Sequence, residues 1–178
     1  DGGCNITYDN GKNWFKANTP AVGQYYAITV DNDKPYNIYG GLQDNGSWYG
    51  SSTHRETIDW TESGQYGYKR LNGGDGMQAQ VDLRDNSTIY SGSQFGAYFR
   101  TNKQKPENKF IRPGVPGLDA QKLRFNWQTP ILLSPHNADI LYLGTQYLYR
   151  SMNKGDKLEL ISGDLTSGKK TGDIPFAT

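Results

Sequence analysis

The sequence predicts an almost entirely β fold, on three observations. Short runs rich in β-branched and aromatic residues, such as "YYAITVD" and "TIYSGS", alternate with clusters of turn formers, which is the pattern of strands joined by tight connections. Glycine and proline, with 22 and 8 copies among 178 residues, punctuate the chain, and no long 3.6-residue periodicity of apolar side chains appears. The apolar fraction is low at 34% while the aromatic fraction is high at 13%, which favours strands and turns over helices.

Internal repetition organises these strands. "VDNDKPYNIYGGLQ" (30–43), "VDLRDNSTIYSGSQ" (81–94) and "LSPHNADILYLGTQ" (133–146) each place an aliphatic residue and a tyrosine before x-G-x-Q. Tyr90 follows Tyr39 by 51 positions (90 − 39), and Tyr142 follows Tyr90 by 52 (142 − 90). A unit of about fifty residues built from short strands is the scale of a propeller blade. The expected fold is therefore a β-propeller segment of about three and a half four-stranded blades.

The elements follow in chain order. Residues 1–18 read as the end of one blade, carried by the hairpin "ITYDNGKNWFKA". Residues 19–70 form the next, with strands at Tyr25–Val30, Asn37–Leu42 and Ser47–Ser51 and a fourth near Thr57–Trp60. Residues 71–122 follow, with strands at Met77–Val81, Thr88–Ser93, Ala97–Thr101 and near Phe110–Arg112. Residues 123–166 complete the set with Thr129–Leu133, Ile140–Gly144, Tyr147–Ser151 and Lys157–Ile161, and 167–178 are a tail or the start of another unit. Closed propellers use typically four to eight blades, and an open arc leaves edges that invite association. The expectation is thus a piece of a larger propeller, or one completed by other chains. The architectural runner-up is a closed four-bladed domain in which the N-terminal hairpin joins C-terminal residues.

The N-terminal hairpin holds the most specific motif, Thr7-x-Asp9-x-Gly11-x-x-Trp14, with a degenerate copy at Ser151-x-Asn153-x-Gly155-x-x-Leu158. This is the pattern of the Asp-box, or BNR repeat. A carboxylate can accept turn N–H groups, glycine permits positive φ, and the hydroxyl adds a local bond. Asp9 is therefore read as a hairpin lock, not a catalytic or calcium-binding group, and Trp14 is expected to fold onto the blade as an apolar wedge.

Blade geometry sorts the loops onto two faces. Connections between second and third strands, and those leading into the next blade, share one face. Gln43, Asp44, Asn45, Asp75, Gln94, Asn126, Trp127 and Gln146 collect there. The amides and Trp127 are candidate ligand contacts, although Asp44-Asn45-Gly46 is also a strong hairpin-turn sequence and the repeated glutamines suit loop-to-loop ties. Asp44 and Asp75 come from adjacent blades and are the candidate acid and base of an inverting glycosidase, which needs carboxyl groups roughly 6.5–9.5 Å apart.

Composition excludes several classes. A balance of 19 basic against 18 acidic residues, with no basic block beyond "TNKQKPENK", does not suit a nucleic-acid groove. No run approaches the roughly 20 apolar residues of a membrane span. One cysteine, Cys4, precludes an internal disulfide or a multi-cysteine zinc site, and His54 and His136 lack ligand spacing. No metal or cofactor is expected.

"DGGCNITYDNGKNWFKAN", "YNIYGGLQDNGSW", "NGGDGMQAQVD" and the stretch 124–166 resemble the BNR/Asp-box repeat, sortilin-like β-propeller proteins of bacteria, which are often labelled glycosyl hydrolase-like. The resemblance implies a long secreted or outer-membrane-associated protein. Against a sialidase-like activity, arginines such as Arg55, Arg70 and Arg112 are scattered, without the expected cluster. Two functions follow: a non-catalytic scaffold or binding propeller for a protein or glycan, or part of a glycoside hydrolase using Asp44 and Asp75.

Overall fold

The computed structural model describes residues 4–17, 23–55, 57, 67–114 and 123–167. It is all-β, with a two-stranded hairpin followed by three four-stranded antiparallel sheets. The hairpin pairs β1 (Cys4–Ile6) with β2 (Phe15–Ala17). The first sheet is β3 (Tyr25–Val30), β4 (Asn37–Leu42), β5 (Gly46–Ser51) and β6 (Lys69–Asn72). The second is β7 (Gly76–Val81), β8 (Thr88–Ser93), β9 (Ala97–Asn102) and β10 (Asn108–Ile111). The third is β11 (Ile131–Leu133), β12 (Leu141–Gly144), β13 (Leu148–Ser151) and β14 (Glu159–Leu160). Each sheet pairs its strands in chain order, as a meander.

Several strand boundaries differ from the sequence reading, most by one or two residues, and two of the differences have a clear reason. The expected fourth strand at Thr57–Trp60 falls largely on residues outside those described, and β6 supplies that strand instead. In the third sheet β11 starts at Ile131, after Pro130, which has no N–H to give the ladder. The N-terminal hairpin stands as its own two-stranded sheet, and among the described residues no closed ring forms.

Strand alternation gives every sheet two unlike faces. Tyr39 pairs with Thr29 and Tyr49, Tyr90 with Gln80 and Arg100, and Tyr142 with Leu132 and Arg150. The three tyrosines thus occupy one equivalent position on the second strand of each sheet. The opposite face is aliphatic. Tyr39 is fully buried against Ala79, Val81 and Ile89 of the second sheet, and Tyr90 against Ile131, Leu133, Leu141 and Leu143 of the third. The tyrosine faces of the first and second sheets are each covered by the aliphatic face of the sheet that follows.

Polar contacts reinforce this packing beside the turns that connect first and second strands. The Tyr39 hydroxyl donates to Asp31 Oδ2 at 2.7 Å, and Lys103, reaching across from the second sheet, donates to the Tyr39 hydroxyl at 2.8 Å. Its Nζ stands 3.4 Å from Asp31. Between the second and third sheets, Arg84 bridges Asp82 and Asp139 at 2.7 and 2.6 Å, with Lys154 3.7 Å from both carboxylates. Burial pushes the Asp31 carboxyl up, but hydrogen bonds from the Asn37 N–H, the Tyr39 hydroxyl and the Asn37 amide outweigh it and hold the group at about 2.

At the other end of the strands the sheets meet backbone to backbone. A Cβ on Gly41 would lie 2.1 Å from the Met77 carbonyl, and one on Gly76 would lie 2.2 Å from the Gly46 carbonyl. Gly41→Ala is therefore expected to destabilise the protein by about 3 kcal/mol in chemical denaturation, while Gly114→Ala, with nothing within 4 Å, changes little. Asp31 predicts an acid dependence. Its pKa is depressed from 3.8, so its stabilisation, about 2 kcal/mol, is complete above that value and is lost as pH falls toward about 2. Unfolding curves taken across this range should show that loss, and Asp31→Asn should remove it.

Candidate functional site

The Asp-box turns are built alike. Thr7 Oγ1 accepts the Gly11 N–H at 2.8 Å, and Asp9 Oδ1 accepts the Asn13 N–H at 2.8 Å. Ser151 Oγ accepts the Gly155 N–H at 2.8 Å, and Asn153 Oδ1 accepts the Lys157 N–H at 2.9 Å. Gly11 and Gly155 have φ of 87° and 84°, the left-handed region that glycine tolerates without a Cβ clash. An amide reproduces the carboxylate's contacts, so the motif requires an acceptor and not a charge. Asp9 is held below the ordinary carboxylate range, first by the Asn13 N–H. Trp14 departs from expectation. It is 64% exposed, its indole N–H donating to the Gly11 carbonyl at 3.1 Å, because the two-stranded sheet offers no core to receive it. Its counterpart Leu158 does pack onto the core of the third sheet.

On the opposite side, the loops converge as expected. Asp75, buried at the entry to β7, accepts the Asp44 N–H through Oδ1 at 2.6 Å. The Asp75 N–H donates to Gln94 Oε1 at 3.0 Å. Next along the chain, the Phe95 N–H donates to the Trp127 carbonyl at 3.2 Å, and the Phe95 and Trp127 rings meet edge to face at 5.2 Å. Gln146 Oε1 accepts the Arg124 N–H at 2.8 Å. Asp44, Asp75, Gln94, Phe95 and Trp127 therefore form one continuous line across the three sheets.

The remaining candidates support loops. The Gln43 N–H donates to the Gln24 carbonyl at 2.9 Å. Asn45 is exposed, its amide donating to the Gln43 carbonyl at 3.1 Å while its own carbonyl accepts the Trp48 indole N–H at 2.6 Å. Asn126 is exposed, its carbonyl accepting the Thr129 hydroxyl at 3.0 Å.

Asp75, whose Oδ1 accepts the Asp44 N–H, raises the Asp44 pKa through hydrogen bonding and its neighbouring charge. Among the described residues no group of three or more His, Cys, Asp or Glu side chains could hold a metal, and no helix is long and apolar enough to cross a membrane.

Phe95 is the residue that sequence reasoning undervalued. It sits at φ 58°, ψ 36° with its ring 49% exposed beside Trp127, itself 43% exposed. Its counterpart after the repeated glutamine in the first sheet is Asp44, at φ 61°. These two turns, unlike that of the third sheet, place a left-handed residue at this point, which suits Asp, Asn or Gly and is strained for a bulky side chain. An aromatic residue in a slot made for small polar ones was the available signal. A cavity of about 370 Å³ also went unread. It opens on the far side, between Thr29, Val30, Gln80, Val81 and Leu133, near Arg84 and His136.

No family model matches the chain, and no curated protein matches it.

The closeness of Asp75 to Asp44 predicts a titration. Followed by carboxyl carbon resonances, Asp44 should protonate at a higher pH than an ordinary aspartate, and Asp75→Asn should lower that value by removing the neighbouring acid.

Proposed function

We propose that this chain is a segment of a BNR-type, sortilin-like β-propeller, secreted or cell-surface as the resemblance implies, whose loop face binds a glycan without cleaving it. Phe95 carries the reading. A bulky side chain in the left-handed region costs about 1 kcal/mol, and here that strain holds a ring half in solvent beside a second exposed aromatic, Trp127. Nothing in the packing of the sheets needs that exposed ring. Adjacent aromatic edges suit the apolar faces of sugar rings, and the exposed polar groups of Asp44, Asn45 and Asn126 share the same face for hydroxyl groups. The scattered arginines speak against a sialidase-like hydrolase.

The propeller reading is supported by the equivalent tyrosine positions, the meander order of each sheet and the two Asp-box turns. Further sheets, in a longer chain or in other chains, would complete the ring.

A glycan array probed with the purified chain should give binding without turnover. Trp127→Ala should weaken that binding about tenfold, close to 1.4 kcal/mol. Phe95→Asn should do the same while raising the protein's stability by about 1 kcal/mol, because asparagine accepts the left-handed conformation at less cost. Absence of any glycan ligand, or binding that survives both substitutions, refutes the assignment.

A further inference from the structure

The two internal interfaces follow one rule, and the outer faces of the three-sheet stack carry the two halves of that same interface. On the first sheet, Ile28, Val30 and Ile38 occupy the aliphatic-face positions held by Ala79, Val81 and Ile89 in the second and by Ile131, Leu133 and Leu141 in the third. The inner six are buried. Ile28 is 61% exposed, Val30 is 46% exposed and Ile38 is only partly buried. On the third sheet, Leu132 and Tyr142 form the tyrosine face, with Arg150 at the position of Arg100. Tyr142 is half-buried where Tyr39 and Tyr90 are fully buried, and Leu132 is 55% exposed.

We propose that the tyrosine face of the third sheet in one copy of this chain docks on the aliphatic face of the first sheet in a second copy. The interface continues the one already made twice within the chain: a tyrosine on the second strand of one sheet against aliphatic residues on the first and second strands of the next. The two outer faces differ from each other, so the contact is heterologous, head to tail, and not a symmetric pairing of like faces. The carboxylate beside the tyrosine in the inner contacts is absent. Ser134 stands where the inner sheets have Asp31 and Asp82, and Ser52 stands where the second sheet has Lys103. Association therefore rests on apolar burial, and added salt does not dissolve it.

The test is sedimentation of the whole chain over a range of concentrations, with Ile28→Glu and Leu132→Glu alongside. Both positions are more than half exposed, so a charge there is tolerated by the fold, which circular dichroism checks. Val30→Lys is the alternative on the first sheet. The wild-type chain should associate as concentration rises, and each single variant should stay monomeric. An equimolar mixture of the two variants should form a heterodimer, because each retains the face that the other lacks. A wild-type chain that remains monomeric at its solubility limit overturns the proposal, as does a single variant that still associates or a mixture that does not. Glycan binding resides on the loop face, which neither variant touches, so failure here leaves that reading standing and the reverse also holds.

Discussion

The arrangement depends on one packing event: a tyrosine on the second strand of a sheet is covered by the aliphatic side of the sheet that follows. Tyr39 and Tyr90 are each removed wholly from solvent in this way, and each brings a large aromatic ring to its interface. A ring of that size separates two sheets at one level of the strands. The paired glycines near the loop face bring the backbones together at another. Large and small are thus fixed at set heights, and that difference determines how one sheet leans on its neighbour.

Polar groups then secure the two ends of this apolar contact in different ways. Beside Tyr39 and Asp31, the means is charge: Lys103, Arg84 and Lys154 reach between sheets to carboxylates, some of them buried. On the loop face the means is backbone capture, with Asp75 and Gln94 accepting or receiving main-chain N–H bonds from neighbouring connections. On that support Phe95 and Trp127 keep part of each ring in solvent while meeting edge to face, and Asn126 is exposed. Rigid support beneath exposed groups is what a recognition surface requires, since little ordering then remains to be done on binding.

The strand order and registers were legible in the sequence because the repeat is written in residue types that strands need, and a period of about fifty residues leaves few alternatives. Tyr39, Tyr90 and Tyr142 fell on equivalent positions for that reason. Chain alternation placed Asp44, Asp75 and Gln94 on one side, and the Asp44 N–H and Gln94 amide do meet Asp75 there. What escaped depends on partners far away in sequence. The environment of Trp14 could not be read from its own motif, since Leu158, in an equivalent motif, reaches a core and Trp14 does not. The spacing of the Asp44 and Asp75 carboxyl groups depends on side-chain orientation, which spacing along the chain does not specify. The strain at Phe95 depends on its backbone angle, which its place after Gln94 in the repeat only hinted at.

Because both internal interfaces join consecutive sheets by the same rule, the stack has a direction. A duplication or deletion of one whole unit within the gene would join a tyrosine side to an aliphatic side as before, leaving no mismatched seam. Change in steps of one repeat is therefore the mutational route that this architecture tolerates best, whereas an insertion of a single residue within a strand would turn its tyrosine side into its aliphatic one.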